Sequence, residues 1–350
     1  MKALLYKTLL ILMLFPGIAL AATGKGKFTK QKKISKSYAV NANAGLNVAS
    51  KYGNVYITTW DEDRTEIEVL ITISGDHEDD VTKRLNGIDV DFEASRTLVA
   101  AKTRIENFKG KRISMEINYT IKIPKNGTIG INNQYGSIKL GKINGGVNLS
   151  CQYGSVVIDE LNSDNNTLKL QYCDNSRISL IKNGSVTVQY SDMVIGKANT
   201  LNLNSQYGDV TVTSVSDLTY KIQYGDLTVR AADKITGSGN YSDVTIGTLD
   251  NLLNATTNYG DLTVAKLNKG IKNVSVTATY SDITIKYDEA AAFDFEMSGS
   301  YADISVAQGV KISEKIEKSS STSYKGYYRS SGVARVYIKT SYGDIALGKN

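Results

Sequence analysis

A seven-residue motif recurs along this chain and confines it to architectures that stack copies of one unit. It reads polar residue, Tyr, small residue, Asp or Ser, then apolar–x–apolar. The copies are QYGSIKL from Gln134, QYGSVVI from Gln152, QYCDNSRISL from Gln171, QYSDMVI from Gln189, QYGDVTV from Gln206, QYGDLTV from Gln223, NYSDVTI from Asn240, NYGDLTV from Asn258, TYSDITI from Thr279 and SYADISV from Ser300. KYGNVYI from Lys51 and SYGDIAL from Ser341 are an early and a late copy. Tyr135, Tyr153, Tyr172, Tyr190, Tyr207, Tyr224, Tyr241, Tyr259, Tyr280 and Tyr301 are separated by 18, 19, 18, 17, 17, 17, 18, 21 and 21 residues. The next step, to Tyr342, is 41 residues, which reads as about two periods with one motif lost.

Each period alternates as strands do. Leu201, Leu203, Ser205 and Tyr207 share one face, with Asn202, Asn204 and Gln206 on the other. Val210 and Val212 resume the inner face after the corner, and an apolar residue follows eight after the Tyr, as at Ile143, Leu161, Leu180, Val215, Leu249 and Leu267. No period buries such a face alone, but stacked neighbours do. A parallel β-solenoid and a chain of hairpins both fit this parity. A two-residue hairpin turn wants Gly at the small position. Here Cys173, Ser191, Ser242, Ser281 and Ala302 share that position with glycines. Such residues resist positive φ, which favours a solenoid of about ten coils. At 350 residues the chain is too long for one compact core unless the core is extended by repetition.

The period is missing from Thr23 to Pro124, apart from the copy at Lys51. Strand-like runs there are Tyr56–Thr59, Glu66–Ile73, Leu98–Ile105 and Ile113–Ile123. One short helix is expected, capped by Asp76, with Glu78, Asp79 and Asp80 in its first turn, Lys83 and Arg84 in its last, and Gly87 ending it. Residues 1–22 read as a secretory signal: Lys2 and Lys7, the apolar run Thr8–Phe15, and Ala19-Leu20-Ala21 as cleavage site. Residues 23–40 form a basic arm. Without Lys2 and Lys7 the net charge falls from +6 to +4, and without the six lysines between Lys25 and Lys36 it becomes −2. The arm reads as a solvated linker or as an attachment to an anionic surface. Residues 41–126 are assigned to an N-terminal β cap and 127–350 to the solenoid, in which Lys311–Gly332 is a loop or excursion before a C-terminal closure. No later run is apolar for long enough to span a membrane, and nucleic acid is a poor fit because the repeats carry no basic patch.

Three rows follow from stacking. Asp174, Asp192, Asp209, Asp226, Asp243, Asp261, Asp282, Asp303 and Asp344 stand two after the Tyr. At the strand spacing, neighbouring carboxylates repel by ~0.9 kcal/mol even in water. Hydrogen bonds from each aspartate's own corner would offset this. Calcium held between coils and a row of catalytic carboxylates are the alternatives. The tyrosines are in phase with the apolar face, which predicts an internal stack; if exposed, they would form an aromatic row for sugar rings or a partner. Gln134, Gln152, Gln171, Gln189, Gln206 and Gln223 form an outward amide row, the candidate binding face. With 1 His and 2 Cys, most zinc sites and His-based nucleophilic enzymes are excluded unless His77 serves. His77 is expected at the surface and Trp60 in the cap. Cys151 and Cys173 fall three positions apart in the repeat, roughly 10 Å along the strand, and are expected unbridged and buried.

The chain resembles the bacterial "putative adhesin" β-strand-repeat family, relatives of the auto-transporter adhesin head domains common in Bacteroidetes. The resemblance is carried by Leu46, by Lys51-Tyr52-Gly53-Asn54-Val55-Tyr56-Ile57 with Trp60, by Tyr119-Thr120-Ile121-Lys122-Ile123-Pro124, and by the serial Gly-Asp-apolar repeats. It implies a non-enzymatic, adhesin-like protein of the cell envelope, with no catalytic residue, metal or cofactor attached to it. No membrane barrel segment follows the last motif. The expected role is therefore that of an exported protein, periplasmic, on the outer-membrane surface or secreted, that offers a repetitive polar β face to a glycan, envelope component or protein. The rival is a polysaccharide-active β-helix enzyme, lyase or glycoside hydrolase, using carboxylates of the solenoid.

Overall fold

The computed structural model describes residues 26–107 and 112–350. The expected signal segment and its cleavage site lie outside them. Among the described residues the protein is all-β with one helix, Glu78–Asn86, and the strands join in one continuous, mostly parallel hydrogen-bonded system of 26 strands. Every period contributes to two columns. The strand before the Tyr pairs in parallel with the strand before the next Tyr, and the strand after the Asp does the same. Gln189 lies opposite Gln206 and Gln206 opposite Gln223 in one column, while Met193, Val210 and Leu227 line up in the other. Long strands such as Met193–Gln206 and Val210–Gln223 run through both columns. Apolar side chains alternate inward. Leu201, Leu203, Val212 and Val229 are fully buried between the columns and form one core continuous with that of both ends.

The in-register inner face shifts between Ala232 and Lys234, between Val264 and Leu267, and at one corner. Asn175 adopts φ 55°, adding a residue after Cys173, so Ile181 is buried rather than the expected Leu180.

Both ends depart from serial order. The expected solvated arm is instead a twelve-residue strand, Phe28–Ala39, paired antiparallel with Arg64–Gly75. Its lysines find partners within the chain: Lys30 with Glu78, Lys32 with Asp89, Lys33 with Glu68, and Lys36 over the ring of Phe92. Alternation in this stretch was masked by lysines, whose stems cover apolar surface while their heads stay in water. The first motif does not stand apart as a cap either. Gly45–Lys51 lies between Leu98–Ile105 and Ile129–Gln134, and Val55–Trp60 between Ile113–Pro124 and Ile138–Ile143. The helix is where charge patterning places it, but His77 rather than Asp76 is its N-cap residue, and its side chain makes no capping bond.

At the other end no motif is lost. Arg335–Ser341 inserts between Asn273–Thr279 and Phe293–Ser300, and Ile345–Lys349 between Ile283–Tyr287 and Ile304–Val306. The last coil in sequence is the last but one in space. The stretch read as a loop is an antiparallel hairpin, Lys311–Lys318 with Ser321–Tyr328, laid against Phe293–Ser300. Its outer strand, KISEKIEK, is charged and bulged between Ile312 and Glu314, both devices that discourage pairing of an open edge.

Candidate functional site

The motif builds one corner, and its geometry follows from a single backbone choice. Tyr52, Tyr342 and the ten tyrosines from Tyr135 to Tyr301 all have φ between 50° and 62°. A left-handed residue turns the strand and breaks its two-residue parity, so the side chain that alternation predicts inside points outward. The twelve rings are 39–63% exposed, which corrects the expected internal stack. The small residue after each Tyr takes the inward place instead: Cys173, Ser191, Ser242 and Ser281 are buried. A Cβ on Gly208 would lie 2.0 Å from the Ser191 carbonyl oxygen, which is why the position stays small although its φ is not positive.

Left-handed geometry costs a tyrosine about 1–2 kcal/mol, and stacking on both sides offsets it. The rings run in the order 52, 135, 153, 172, 190, 207, 224, 241, 259, 280, 342, 301, with centroids 4.8–5.2 Å apart and planes within 10°. Each interior ring has both faces covered by its neighbours. The row therefore presents ring edges and hydroxyls, and only its ends have a free face for a sugar to stack on.

Two further ladders flank it. The Gln134 amide donates to Gln152 Oε1 at 2.9 Å, Gln152 to Gln171 at 2.9 Å and Gln189 to Gln206 at 3.4 Å, and Asn258 donates to Asn240 at 2.9 Å. These bonds tie coil to coil along the row read as the candidate binding face. The aspartates also act between coils and not within their own corner. The backbone N–H of Asp209 donates to Asp192 Oδ1, Asp226 to Asp209, Asp243 to Asp226, Asp261 to Asp243 and Asp282 to Asp261, at 2.8–3.0 Å. Asp344 then donates to Asp282 and Asp303 to Asp344, following the spatial order. Asn54 Oδ1 takes the same role for Ser137, whereas Ser155 and Ser137 join through their hydroxyls. Charge-assisted bonds of this kind oppose the mutual repulsion of the carboxylates. Among the described residues no three His, Cys, Asp or Glu side chains converge as a metal site requires.

Cys151 and Cys173 are buried free thiols. They are closer than strand counting predicts, because the corner turns Cys173 back over the preceding coil, where its Sγ lies 3.3 Å from the Cys151 carbonyl oxygen. A hydrogen bond donated by its S–H to Cys173, together with burial, pushes the Cys151 thiol above its ordinary range. His77 is exposed, and Trp60 donates to the Arg64 carbonyl with Arg64 and Lys122 over its ring. No described helix is long and apolar enough to cross a membrane.

The Toastrack DUF4097 family model matches residues 44–348. No curated protein matches. Among solved structures, a "putative adhesin" from Parabacteroides merdae ATCC 43184 is similar at 15% identity over 76% of this chain and 92% of that one, with a TM-score of 0.35. One from Bacteroides fragilis NCTC 9343 is similar at 14% identity over 90% and 97%, with a TM-score of 0.27. A "putative cell adhesion protein" from Clostridium sporogenes ATCC 15579 is similar at 12% identity over 92% and 100%, with a TM-score of 0.20.

Proposed function

The chain belongs to the Toastrack DUF4097 family, and on that premise we propose that it is an exported, non-enzymatic binding or scaffolding protein, adhesin-like in role. Its solenoid of about ten coils offers a long, chemically repetitive surface to a glycan, envelope component or protein partner. The observation that carries this reading is the equivalence of the coils. Catalysis needs one place where acid, base and substrate contacts differ from their surroundings. Here the phenol recurs at each corner and an amide and a carboxylate at most of them, and the bonded amides and carboxylates hold coil to coil. Repetition suits multivalent attachment to a repetitive partner, where many weak contacts act together.

The test is cell fractionation combined with binding of the purified protein to envelope preparations and immobilised glycans. Retention on envelope material is expected, with the native protein beginning near Ala22. Turnover of a polysaccharide, abolished by changing the carboxylate of one coil such as Asp226→Asn, would overturn the reading and make the protein an enzyme. An intact Met1–Ala21 segment on envelope-derived protein would overturn export by cleavage.

A further inference from the structure

The binding-protein reading gains a ligand class and a place from the hollow on the outer face of the stack, on which the following rests. A groove of about 600 Å³ crosses the strands that lead into the corners, near their beginnings. It spans six successive strands, from the one bearing Asn47 to the one bearing Asn202, roughly 24 Å at the usual strand spacing. Gly130, in register between Asn47 and Asn148, puts no side chain of its own into this outward row. Asn47 leans over Gly130, where a Cβ would meet its Oδ1 at 2.3 Å.

The polar groups here differ from those of the corner in one respect: they are unused. The exposed side chains of Asn47, Asn148, Thr167 and Asn202 make no hydrogen bond among the described residues, whereas Gln134, Gln152, Gln171, Gln189 and Gln206 are bonded within their own row. Three free amides supply both donors and acceptors. The groove's one charged lining residue, Asp164, is already held by Lys182 at 2.9 Å and by the Asn183 amide at 2.7 Å. Nothing in it selects for a charged ligand. The strands beneath are paired on both sides, so no backbone edge is free for an added peptide strand, and no exposed apolar pocket awaits side chains. A cation-free lining gives no phosphate contacts for nucleic acid. What remains is a ligand that is extended, uncharged and rich in hydroxyls.

We propose that this groove binds a neutral linear glycan, laid across the coils and hydrogen-bonded by Asn47, Asn148, Thr167 and Asn202. Isothermal titration with cellohexaose and mannohexaose, against oligogalacturonate and glucosamine oligomers, tests it. A neutral hexasaccharide should bind and the charged oligomers should not. Asn148→Ala and Asn202→Ala should each weaken binding by about tenfold. Gly130→Gln should abolish binding by putting a side chain into the row; its Cβ crowds only the movable end of Asn47, and an unchanged melting temperature verifies the fold. Gln206→Thr, at the corner, should leave affinity as it is. Neutral-glycan binding indifferent to all three groove variants, or a preference for charged oligomers, overturns the assignment while leaving the binding-protein reading intact. So does failure of every glycan when envelope preparations are still retained. Failure of both overturns the two together.

Discussion

The middle of the stack and its two ends solve the same problem in different ways. From Ile129 to Tyr287 each coil lies on its predecessor in sequence, and the residues leading into the corners stay in parallel register from coil to coil. At the ends, order in space and order in sequence part company. The Gly45–Trp60 coil is enclosed by strands that come later, and the final coil slides between two that come earlier. The middle is made of interchangeable layers, while each end is an interlocked closure. A coil in the middle gains stability only from its neighbours, so an open terminal layer would be both weak and adhesive. Interlocking removes that layer.

The comparison is broken most sharply by deleting residues 333–350. This removes the buried Val336, Ile338, Ile345 and Leu347, about 2 kcal/mol each and roughly 8 kcal/mol in all, and unpairs the strands on both sides. The expected result is loss of protection from proteolysis and hydrogen exchange from Asn273 onward, with the coils before Gln223 still protected. Uniform, unchanged protection would show that the last coil is not a closure.

Next in size is Gly208→Val in the middle. Its Cβ would stand 2.0 Å from a backbone oxygen, and the cost should reach ~3 kcal/mol or more in urea unfolding. Gly348→Ala at the end meets only Lys286 Cγ at 4.0 Å and should be close to neutral. Equal effects at the two positions would contradict the difference in packing.

Alkaline pH reaches both ends. Burial pushes Tyr119 up to about 12, against the hydrogen bond from Thr103, and burial with the neighbouring Tyr328 pushes Tyr287 up to about 12. Since the folded values lie above the unfolded value near 10, their contribution is complete below about pH 10 and is lost as pH rises through about 12. Each amounts to roughly 2–3 kcal/mol. Stability measured against pH should fall in that window, and Tyr119→Phe should flatten the fall. The same slope in that variant would remove Tyr119 from the account.

Smallest is Asp226→Asn. The amide oxygen can accept the Asp243 N–H as Asn54 does for Ser137, so stability should stay within ~0.5 kcal/mol. Asp226→Ala, which removes the acceptor, should cost about 1 kcal/mol. A large stabilisation by calcium, lost in Asp226→Asn, would instead make the row a metal site.

What could be read from residues alone follows the same division. Periodicity exposes the parallel columns, the glutamine ladder and the small residue at the corner, because neighbours in sequence are neighbours in space. It misplaces the tyrosines, because parity counting assumes an unbroken strand and Tyr207 and its equivalents leave it at positive φ. It misses the pairing of Phe28–Ala39 and the insertion of Arg335–Ser341, since nothing in a strand's own residues names a partner tens of residues away. The groove leaves a fainter trace. Asn148, Thr167 and Asn202 do alternate outward, but only the fold brings them into one row with Asn47 and Gly130 and shows that these side chains lack partners.

The inserted coil also sets a timetable. Phe293–Val306 and the hairpin precede Arg335–Lys349 in the chain, so the layer between them and Asn273–Tyr287 is completed by the last strands. Without that segment Asn273–Thr279 and Phe293–Ser300 would each lack the parallel partner they share. The final segment is thus a keystone: the arch stands only once it is set, and fraying from that terminus would require drawing a strand out of the centre of a sheet.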